Sequence, residues 1–463
     1  MIDRMRKKDS FLLSSGFVQR RYIARCPQRS AVWRASLLFL ILSVGSYAQE
    51  SPKAQEARDT ELLQTIDANS NGQLAFLETL VNQNSGTLNV SGVRAVGALF
   101  EREFETLGYT TRWIEMPAEM NRAGHFVATR RYGRGPHLLL IGHLDTVFEA
   151  NSPFQRFERD GDLIRGPGIN DMKGGDAVIL YALKALQSVG AIRRGRITVF
   201  LTGDEEAPGS PLSVARRDLI AAGKAADVAL NFEGGSAQWA VIGRRGSSSW
   251  QLQTTGKRAH SSGVFSDQTG AGAVFELARI LNRFYGEVRG PFGLTFNPGV
   301  IAGGTFVEPT ETPREYRAFG KTNVVAQTAR AEGGLRFMND AQLQDARRRM
   351  RQIVEDHLPN TGAEIIFKDS YPAMEVTDAN RALLERLNAV HTRLGLPPAK
   401  AFPPERRGAA DISFIAPYVT SMDGLGVDGK GAHSLEEVMY LPSLQQATQR
   451  SALLIADLMN AAP

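Results

Sequence analysis

The sequence predicts an α/β fold: a mixed, mainly parallel sheet with helices on both faces, interrupted by a smaller α+β domain. Three features predict this fold class. Short apolar runs alternate with helical segments over residues 137–232, which is typical of strand–helix units around a parallel sheet. From residue 246 the pattern changes to half-exposed strands and long amphipathic helices. After Pro372 the first pattern returns.

The composition is that of an ordinary soluble globular chain. Its 463 residues are 43% hydrophobic and 22% charged, which excludes a disordered chain, a collagen-like repeat and a membrane protein with several spans. The length allows two or three domains with a well-buried core.

The first part of the chain supplies the elements of the larger domain. Each predicted strand is a continuous apolar run, as buried parallel strands are. The predicted strands are residues 137–142, 197–202 and 228–232, and the predicted helices are residues 55–107, 177–189 and 212–222.

A smaller domain is predicted from alternating segments at 247–255 and 323–337 and from helices at 270–284 and 342–357. A helix at 379–394 marks the return to the larger domain. The predicted division is an N-terminal segment (1–48), the first part of the larger domain (49–245), the inserted domain (246–370) and the second part of the larger domain (371–463).

The N-terminal segment carries the basic charge of the chain. A net charge of +5 and a pI near 9.3 suggest a polyanionic partner if the charge is evenly spread. Residues 1–34 hold nine basic and two acidic side chains, so residues 49–463 keep 45 basic against 47 acidic ones. We therefore expect no nucleic-acid partner.

Residues 35–48 form an uncharged, mostly apolar run that ends in Ser46-Tyr47-Ala48, as a signal peptide does. The run is shorter than the ~20 residues that cross a bilayer as a helix. We predict a signal peptide or N-terminal anchor, hence an exported protein, periplasmic or secreted, which contacts a membrane only if this segment is not cleaved. The single cysteine, Cys26, lies within it, so the remaining chain has no disulfide or thiolate ligand.

Polar side chains follow the predicted strands, where open α/β sheets bind their ligands. Each of these residues alone has a structural explanation, but together they offer only imidazole and carboxylate donors. They are His143 and Asp145, Asp171 in a glycine-rich loop, Glu205 and Glu206, Glu233, and His433 near the C-terminus. Such donors suit Zn²⁺, with Mn²⁺ or Co²⁺ as alternatives.

The number of donors is sufficient for two metal ions. The two predicted ligand sets are His143, Asp171 and Glu233 for one ion and Asp171, Glu206 and His433 for the other. In an extended segment His143 and Asp145 face the same side, so Asp145 can orient the imidazole. Two ions lower the pKa of a bridging water, and Glu205 takes its proton and passes it to the leaving nitrogen.

Five segments, GHLDTV, GPGINDMKGG, GDEEAPGS, NFEGG and GAHS, resemble the motifs of the M20 metallopeptidase family. The chain is most similar to its glutamate carboxypeptidase (carboxypeptidase G2-like) branch, over residues 60–460. The resemblance implies two zinc ions on the ligands named above, Asp145 as the residue that orients His143, and Glu205 as the base. It also implies a cis peptide bond between Asp171 and Met172.

The resemblance further implies that the inserted domain is a lid that forms a homodimer. His260 matches a histidine that enters the partner's active site and polarises the scissile carbonyl, and Asn323 matches an asparagine that contacts the substrate. Tyr371 stands where glutamate-releasing relatives carry an arginine, so glutamate is not a firm expectation. Arg244, Arg245 and Arg336 are other candidates for binding a substrate carboxylate, and Arg245 is our choice.

These observations predict an exported dinuclear zinc hydrolase. It would release a C-terminal amino acid from a short peptide or from an N-acyl amino acid. An aminopeptidase or dipeptidase with the same site is the first alternative. A peptide- or metal-binding protein without activity is the second, although it would be expected to have lost some of these residues.

Overall fold

A computed structural model of the chain describes residues 51–312 and 314–460. The predicted signal peptide or anchor therefore lies outside the described residues. Within the described ranges no helix is long and apolar enough to cross a membrane. The described residues group into one compact unit.

The helices, in chain order, are α1 (Pro52–Ala68), α2 (Ser70–Asn82), α3 (Val90–Thr106), α4 (Gly174–Ser188), α5 (Leu212–Ala215), α6 (Arg217–Lys224), α7 (Ala273–Arg283), α8 (Asp340–Glu355), α9 (Asp378–Arg393), α10 (Ile412–Ile415) and α11 (Leu441–Asn460). Short 3₁₀ turns lie at Ala118–Met120, Ser261–Gly263 and Pro404–Arg406, and π-type turns at Ile169–Lys173 and Phe284–Val288.

The strands are β1 (Thr110–Ile114), β2 (His125–Arg131), β3 (His137–His143), β4 (Glu158–Asp160), β5 (Leu163–Arg165), β6 (Arg196–Thr202), β7 (Val228–Asn231), β8 (Trp239–Ala240), β9 (Gly246–Gly256), β10 (Thr295–Gly304), β11 (Phe306–Pro309), β12 (Tyr316–Phe319), β13 (Thr328–Phe337), β14 (Thr361–Asp369), β15 (Lys400–Ala401), β16 (Thr420–Met422), β17 (Gly429–Lys430) and β18 (Val438–Tyr440).

The main sheet has the strand order β1-β2-β6-β3-β7-β16. Strands β6, β3, β7 and β16 are parallel. At one end of the sheet β2 pairs antiparallel with β6, and β1 pairs antiparallel with β2. The predicted mixed, mainly parallel sheet is confirmed. Strands β1 and β2 were not predicted; β1 is largely exposed and lacks an apolar run.

Alternate residues of β3 show that both faces of the main sheet are covered. Leu138 and Leu140 belong to a large apolar cluster with α1–α4, α9 and α11. Leu139 and Ile141 belong to a second cluster, with residues of α5, α6 and α10. Because successive side chains of a strand point to opposite faces, helices pack on both sides of this sheet.

A second sheet, of strand order β10-β13-β9-β14, is antiparallel throughout. Its strands lie between Gly246 and Asp369. Trp250 and Leu252 of β9 face one side and pack with apolar residues of α7 and α8 into a separate core. This is the α+β arrangement predicted for the middle of the chain.

Two predicted helices are interrupted in the structure. Residues 55–107 form three helices, α1 to α3, rather than one mostly helical stretch. Residues 212–222 are divided between α5 and α6 at Arg216. The guanidinium of Arg216 is fully buried against two aspartates, and this position was not apparent from the helical pattern.

Candidate functional site

The register of the parallel strands brings three polar segments to one edge of the main sheet. His143, the last residue of β3, pairs with Thr202, the last residue of β6. Ile141 pairs with Asn231, the last residue of β7. The segments that follow these strands carry Asp145, Glu205 and Glu206, and Glu233. Their side chains therefore start from the same carboxyl edge, as the sequence predicts.

The five predicted metal ligands come together at this edge. The Nε2 atom of His143 lies 3.2 Å from Oδ1 of Asp171 and 3.8 Å from Oε1 of Glu233. The Nε2 atom of His433 lies 3.1 Å from Oδ2 of Asp171 and 3.0 Å from Oε2 of Glu206. Each oxygen of Asp171 thus faces a different histidine, which is the arrangement that a carboxylate shared by two cations requires.

Candidate ligand atoms form two overlapping groups, within which all atoms lie inside 4.8 Å of one another. One group is His143, Asp171 and Glu206, and the other is His143, Glu205 and Glu233. The second group contains Glu205, which the sequence assigns as the base. The geometry of these side chains therefore does not by itself separate the base from the ligands.

The hydrogen bond of His143 indicates what its second nitrogen can do. Nδ1 lies 3.0 Å from the backbone carbonyl oxygen of Asp145. Because a carbonyl oxygen only accepts, Nδ1 carries the proton in the neutral ring, and the lone pair of Nε2 faces the carboxylates of Asp171 and Glu233. A lone pair directed at two carboxylates is unfavourable unless a proton or a metal cation lies between them.

Several carboxylates at this edge lack enough compensating positive charge. Burial raises the pKa of Glu205 and Glu206, and burial followed by the charge of Asp171 raises that of Glu233 to about 8. One oxygen of Glu206, Oε1, is buried without a hydrogen-bond partner. Burying carboxylates together is costly unless a cation compensates their charge. The imidazole and carboxylate donors present fit a pair of divalent metal ions.

Asp145 does more than the sequence predicts. Its carboxylate oxygen Oδ1 lies 3.5 Å from Nδ1 of His143. The same carboxylate accepts the backbone N–H groups of Glu205 at 3.0 Å and of Glu206 at 3.1 Å, and the hydroxyl of Thr87 at 2.6 Å. Asp145 therefore connects the segment after β3 to the turn after β6.

Glu437 fixes the loop that carries Asp171. Its buried carboxylate accepts the backbone N–H groups of Gly168, Asn170 and Asp171 at 2.8–3.1 Å. The Asp171–Met172 peptide bond in this loop is cis, as predicted. Glu437 was not predicted from the sequence, where its only signal is an acidic residue four positions after His433.

A buried network of ion pairs includes Asp204, the residue that precedes Glu205. Arg216 contacts Oδ1 of Asp204 and Oδ1 of Asp411, each at 2.6 Å. The hydroxyl of Tyr371 donates to the backbone carbonyl of Glu205 at 2.7 Å. Tyr371 is thus engaged with the backbone beside the predicted base. It does not stand free in the place of a carboxylate-binding arginine.

The predicted lid residues lie apart from this cluster. His260 and Asn323 are both exposed, and the backbone N–H of Ser261 donates to the carbonyl of Asn323 at 2.9 Å. Among residues 51–312 and 314–460, no hydrogen bond or ion pair joins either side chain to the five candidate ligands. The chain brings these two residues to each other but not to the site.

The three candidate arginines have different surroundings. Arg244 is buried and contacts Asp423 at 2.5 Å, so its charge is already paired. Arg245 donates to the hydroxyl of Thr295 at 3.2 Å. Burial, and then the charge of Arg245, lowers the pKa of Arg336, which lines a cavity of about 1250 Å³ over the open face of the second sheet.

The remaining histidines have structural surroundings. His125, His137 and His391 are buried, and each has a ring nitrogen within 2.6–2.8 Å of a backbone carbonyl oxygen. His357 lies just after α8, beside Glu276. None of these four histidines contacts the candidate ligands through a described hydrogen bond.

Comparison with known families gives one match that covers most of the chain. The model of peptidase family M20/M25/M40 matches residues 139–457. Carboxypeptidase G2 from Pseudomonas sp. (strain RS-16) is 28% identical over 419 residues, which are 87% of this chain and 93% of that protein. Succinyl-diaminopimelate desuccinylase from Gluconacetobacter diazotrophicus is 28% identical over 345 residues, covering 71% of this chain and 83% of that protein.

Solved structures share the fold. A tripeptidase from Staphylococcus aureus has a TM-score of 0.64 at 21% identity and covers 84% of this chain and 99% of its own. A metallo-carboxypeptidase of the M20 family from Sulfolobus solfataricus has a TM-score of 0.61 at 16% identity, with the same two coverages. At these identities the likeness bears on the fold alone.

Proposed function

Because the chain belongs to peptidase family M20/M25/M40, as a hydrolase of peptide or amide bonds similar to carboxypeptidase G2, we propose that it is an exported dinuclear zinc enzyme. Its reaction would release a C-terminal amino acid from a short peptide or from an N-acyl amino acid. The observation that carries this proposal is the carboxylate of Asp171, whose two oxygens each face a different histidine.

The residues that would hold the metal are the two sets predicted from the sequence. They are His143, Asp171 and Glu233 for one ion and Asp171, Glu206 and His433 for the other. Imidazole and carboxylate donors without thiolates favour Zn²⁺, with Mn²⁺ or Co²⁺ as alternatives. Two such ions supply Lewis acidity that polarises a carbonyl and lowers the pKa of a water.

Glu205 would move the proton. The burial that raises its pKa suits a carboxyl that takes a proton from the attacking water and gives it to the leaving nitrogen. Its backbone is fixed on both sides, since its N–H donates to Asp145 and its carbonyl accepts from Tyr371. Fixing the backbone restricts where the carboxylate can lie, and general-base catalysis depends on that position.

The names of two relatives favour acyl–amino acid substrates. One is a carboxypeptidase and the other a desuccinylase of an amino acid, so both names describe cleavage of an amide bond to an amino acid. In both reactions an acyl group lies on one side of the cleaved bond and an amino acid on the other. A single arrangement of base and ions serves both, because the bond is the same.

We further propose a homodimer formed through the second sheet and its helices. His260 and Asn323 are exposed and make no described contact with the candidate site of their own chain. The same part of the chain exposes Val274 and Phe275 of α7 and Ile301 of the edge strand β10. Exposed apolar side chains of this kind mark association surfaces. The partner's site is where a donated His260 would act.

The test uses the purified full chain, with its metal content measured. The purified chain is incubated with N-acyl amino acids, N-blocked dipeptides and N-free dipeptides, each with and without chelator. We expect release of an amino acid from the N-blocked substrates, abolished by chelator. Hydrolysis of N-free dipeptides alone would indicate an aminopeptidase, and hydrolysis of none would contradict the proposal.

A further inference from the structure

One guanidinium beside the candidate site has no carboxylate partner. Arg407 follows the 3₁₀ turn Pro404–Arg406 that precedes α10. Its Nη2 atom donates to the backbone carbonyl of Gly234 at 2.6 Å, directly after the predicted ligand Glu233. Its Nε atom is buried and has no hydrogen-bond partner. The side chain is half-buried, so it is neither a free surface arginine nor a core one.

Two buried arginines of this region are paired with carboxylates, whereas the buried Arg450 donates to the backbone carbonyls of Ser236 and Gly424. Arg216 is held between two aspartates, and Arg244 contacts Asp423 at 2.5 Å. For Arg407, no carboxylate of the described chain lies within ion-pair distance. A half-buried guanidinium with hydrogen-bonding capacity to spare is costly unless it has a ligand to bind.

The position of Arg407 is fixed by the surrounding backbone. Its N–H donates to the carbonyl of Pro404 at 3.1 Å, and the next carbonyl, of Gly408, accepts from Nη1 of Arg244 at 2.7 Å. Because Arg244 is itself bound to Asp423, the loop is anchored to a buried ion pair. Arg407 therefore presents its charge in a fixed direction, as a recognition group must.

The charges around Arg407 place it in the electrostatic field of the candidate metal ligands. Burial, and then the charge of Arg244, lowers the pKa of Arg407, whereas Asp423, Glu233 and Asp171 act in the opposite direction. If Glu233 and Asp171 bind cations, their negative charges no longer compensate the positive charge of Arg407. The guanidinium is then available for an anion that arrives with the substrate.

We propose that Arg407 is a specificity-determining residue that binds the free carboxylate of the amino acid to be released. The proposal rests on the proposed function above. Arg is suited to this because its planar donors match a carboxylate with two parallel hydrogen bonds. Two other candidates are less suitable: Tyr371 is engaged with the carbonyl of Glu205, and Arg245 lies beside Thr295 and Arg336.

The test compares an N-acetyl amino acid with its carboxamide, since both contain the same cleavable bond. For Arg407→Gln we expect kcat/KM for the acid to fall about 10–100-fold, mainly through KM, so that the preference for acid over amide falls by the same factor. Arg407→Lys keeps the charge but not the planar donors, and we expect it to restore part of the preference. Arg406→Gln is the matched control, because Arg406 is exposed and lies over the ring of Phe402; it should leave the preference unchanged.

Calorimetric binding of the free amino acid and of its carboxamide gives a second readout that does not depend on hydrolysis. We expect the wild type to prefer the free acid and Arg407→Gln to lose that preference. An unchanged preference in Arg407→Gln, or equal loss for acid and amide in a variant with normal metal content, would overturn the role of Arg407. If the wild type cleaves neither compound yet binds the acid better and loses this on substitution, the proposed function fails while the binding site stands.

Discussion

The carboxyl edge of the main sheet and the second sheet hold their functional side chains in opposite ways. At the edge, Asp145 and Glu437 bind backbone N–H groups of the segments that carry Glu205, Glu206 and Asp171. In the second region, His260 and Asn323 lie after β9 and before β13 and are exposed. The first region is connected by hydrogen bonds within one chain, whereas the side chains of His260 and Asn323 make no described hydrogen bond or ion pair with the candidate ligands. The predicted catalytic groups are thus positioned by hydrogen bonds within one chain, whereas the predicted recognition groups are exposed to solvent.

Removal of metal should have the largest effect, because it acts on the first region as a whole. We expect dialysis against a chelator to abolish amide hydrolysis and to lower the melting temperature, since the buried carboxylates lose the cations that compensate them. Activity and thermal unfolding are measured before and after zinc is returned. Full activity of a protein verified to be metal-free would show that the candidate ligands do not act through a metal. The contrast between the two regions would then lose its basis.

Glu205→Gln should have the next largest effect. The amide cannot accept a proton, so kcat should fall by about 10²–10⁴-fold while metal content stays at the wild-type level. Turnover of an N-acyl amino acid and metal content per chain are the two measurements. A rate near that of the wild type would show that Glu205 is not the base, and loss of metal would assign it to the ligand group with His143 and Glu233.

Exchange of subunits tests whether the second region acts on a partner. We expect His260→Ala and Glu205→Gln each to be nearly inactive alone. A mixture of the two should recover about a quarter of wild-type activity, because random pairing in a two-fold dimer gives one complete site in each mixed dimer. The activity of the mixture after subunit exchange is the measurement. Lys257→Ala paired with Glu205→Gln serves as the control for mixing. No recovery in verified mixed dimers would place His260 outside the reaction.

Tyr371→Phe should have the smallest effect. It removes the hydrogen bond to the carbonyl of Glu205 and the one that the hydroxyl accepts from Nη2 of Arg216 at 3.3 Å, and it leaves the ring in place. We therefore expect a loss of about 1–3 kcal/mol of stability and a decrease in kcat of only a few fold. Urea unfolding and steady-state kinetics measure the two. Tyr440→Phe, at an exposed position, is the control. A change of substrate preference without a change in kcat would indicate that Tyr371 lines the substrate pocket.

The sequence was informative where local patterns decide the structure. Apolar runs followed by His143, Glu205 and Glu233 predicted the strands and the polar edge, because parallel strands end at one side of a sheet. It was uninformative for Glu437 and Arg407. Glu437 contacts the backbone of Asp171, 266 residues away along the chain, and Arg407 contacts the backbone of Gly234, 173 residues away. Contacts to backbone atoms leave no residue pattern to recognise.

Asp145 binds the N–H groups of two consecutive residues with different predicted tasks, one a base and the other a ligand. A substitution at this single position would displace both at once, so the catalytic apparatus cannot be adjusted piece by piece. Strands β9, β10, β13 and β14 share no such contact with it. If Arg407 binds the substrate as proposed, substitutions there would change substrate choice while the hydrogen bonds of Asp145 to Glu205 and Glu206 stay in place. We therefore expect substitutions that change substrate choice to be tolerated best at positions that do not hold the base or the candidate ligands.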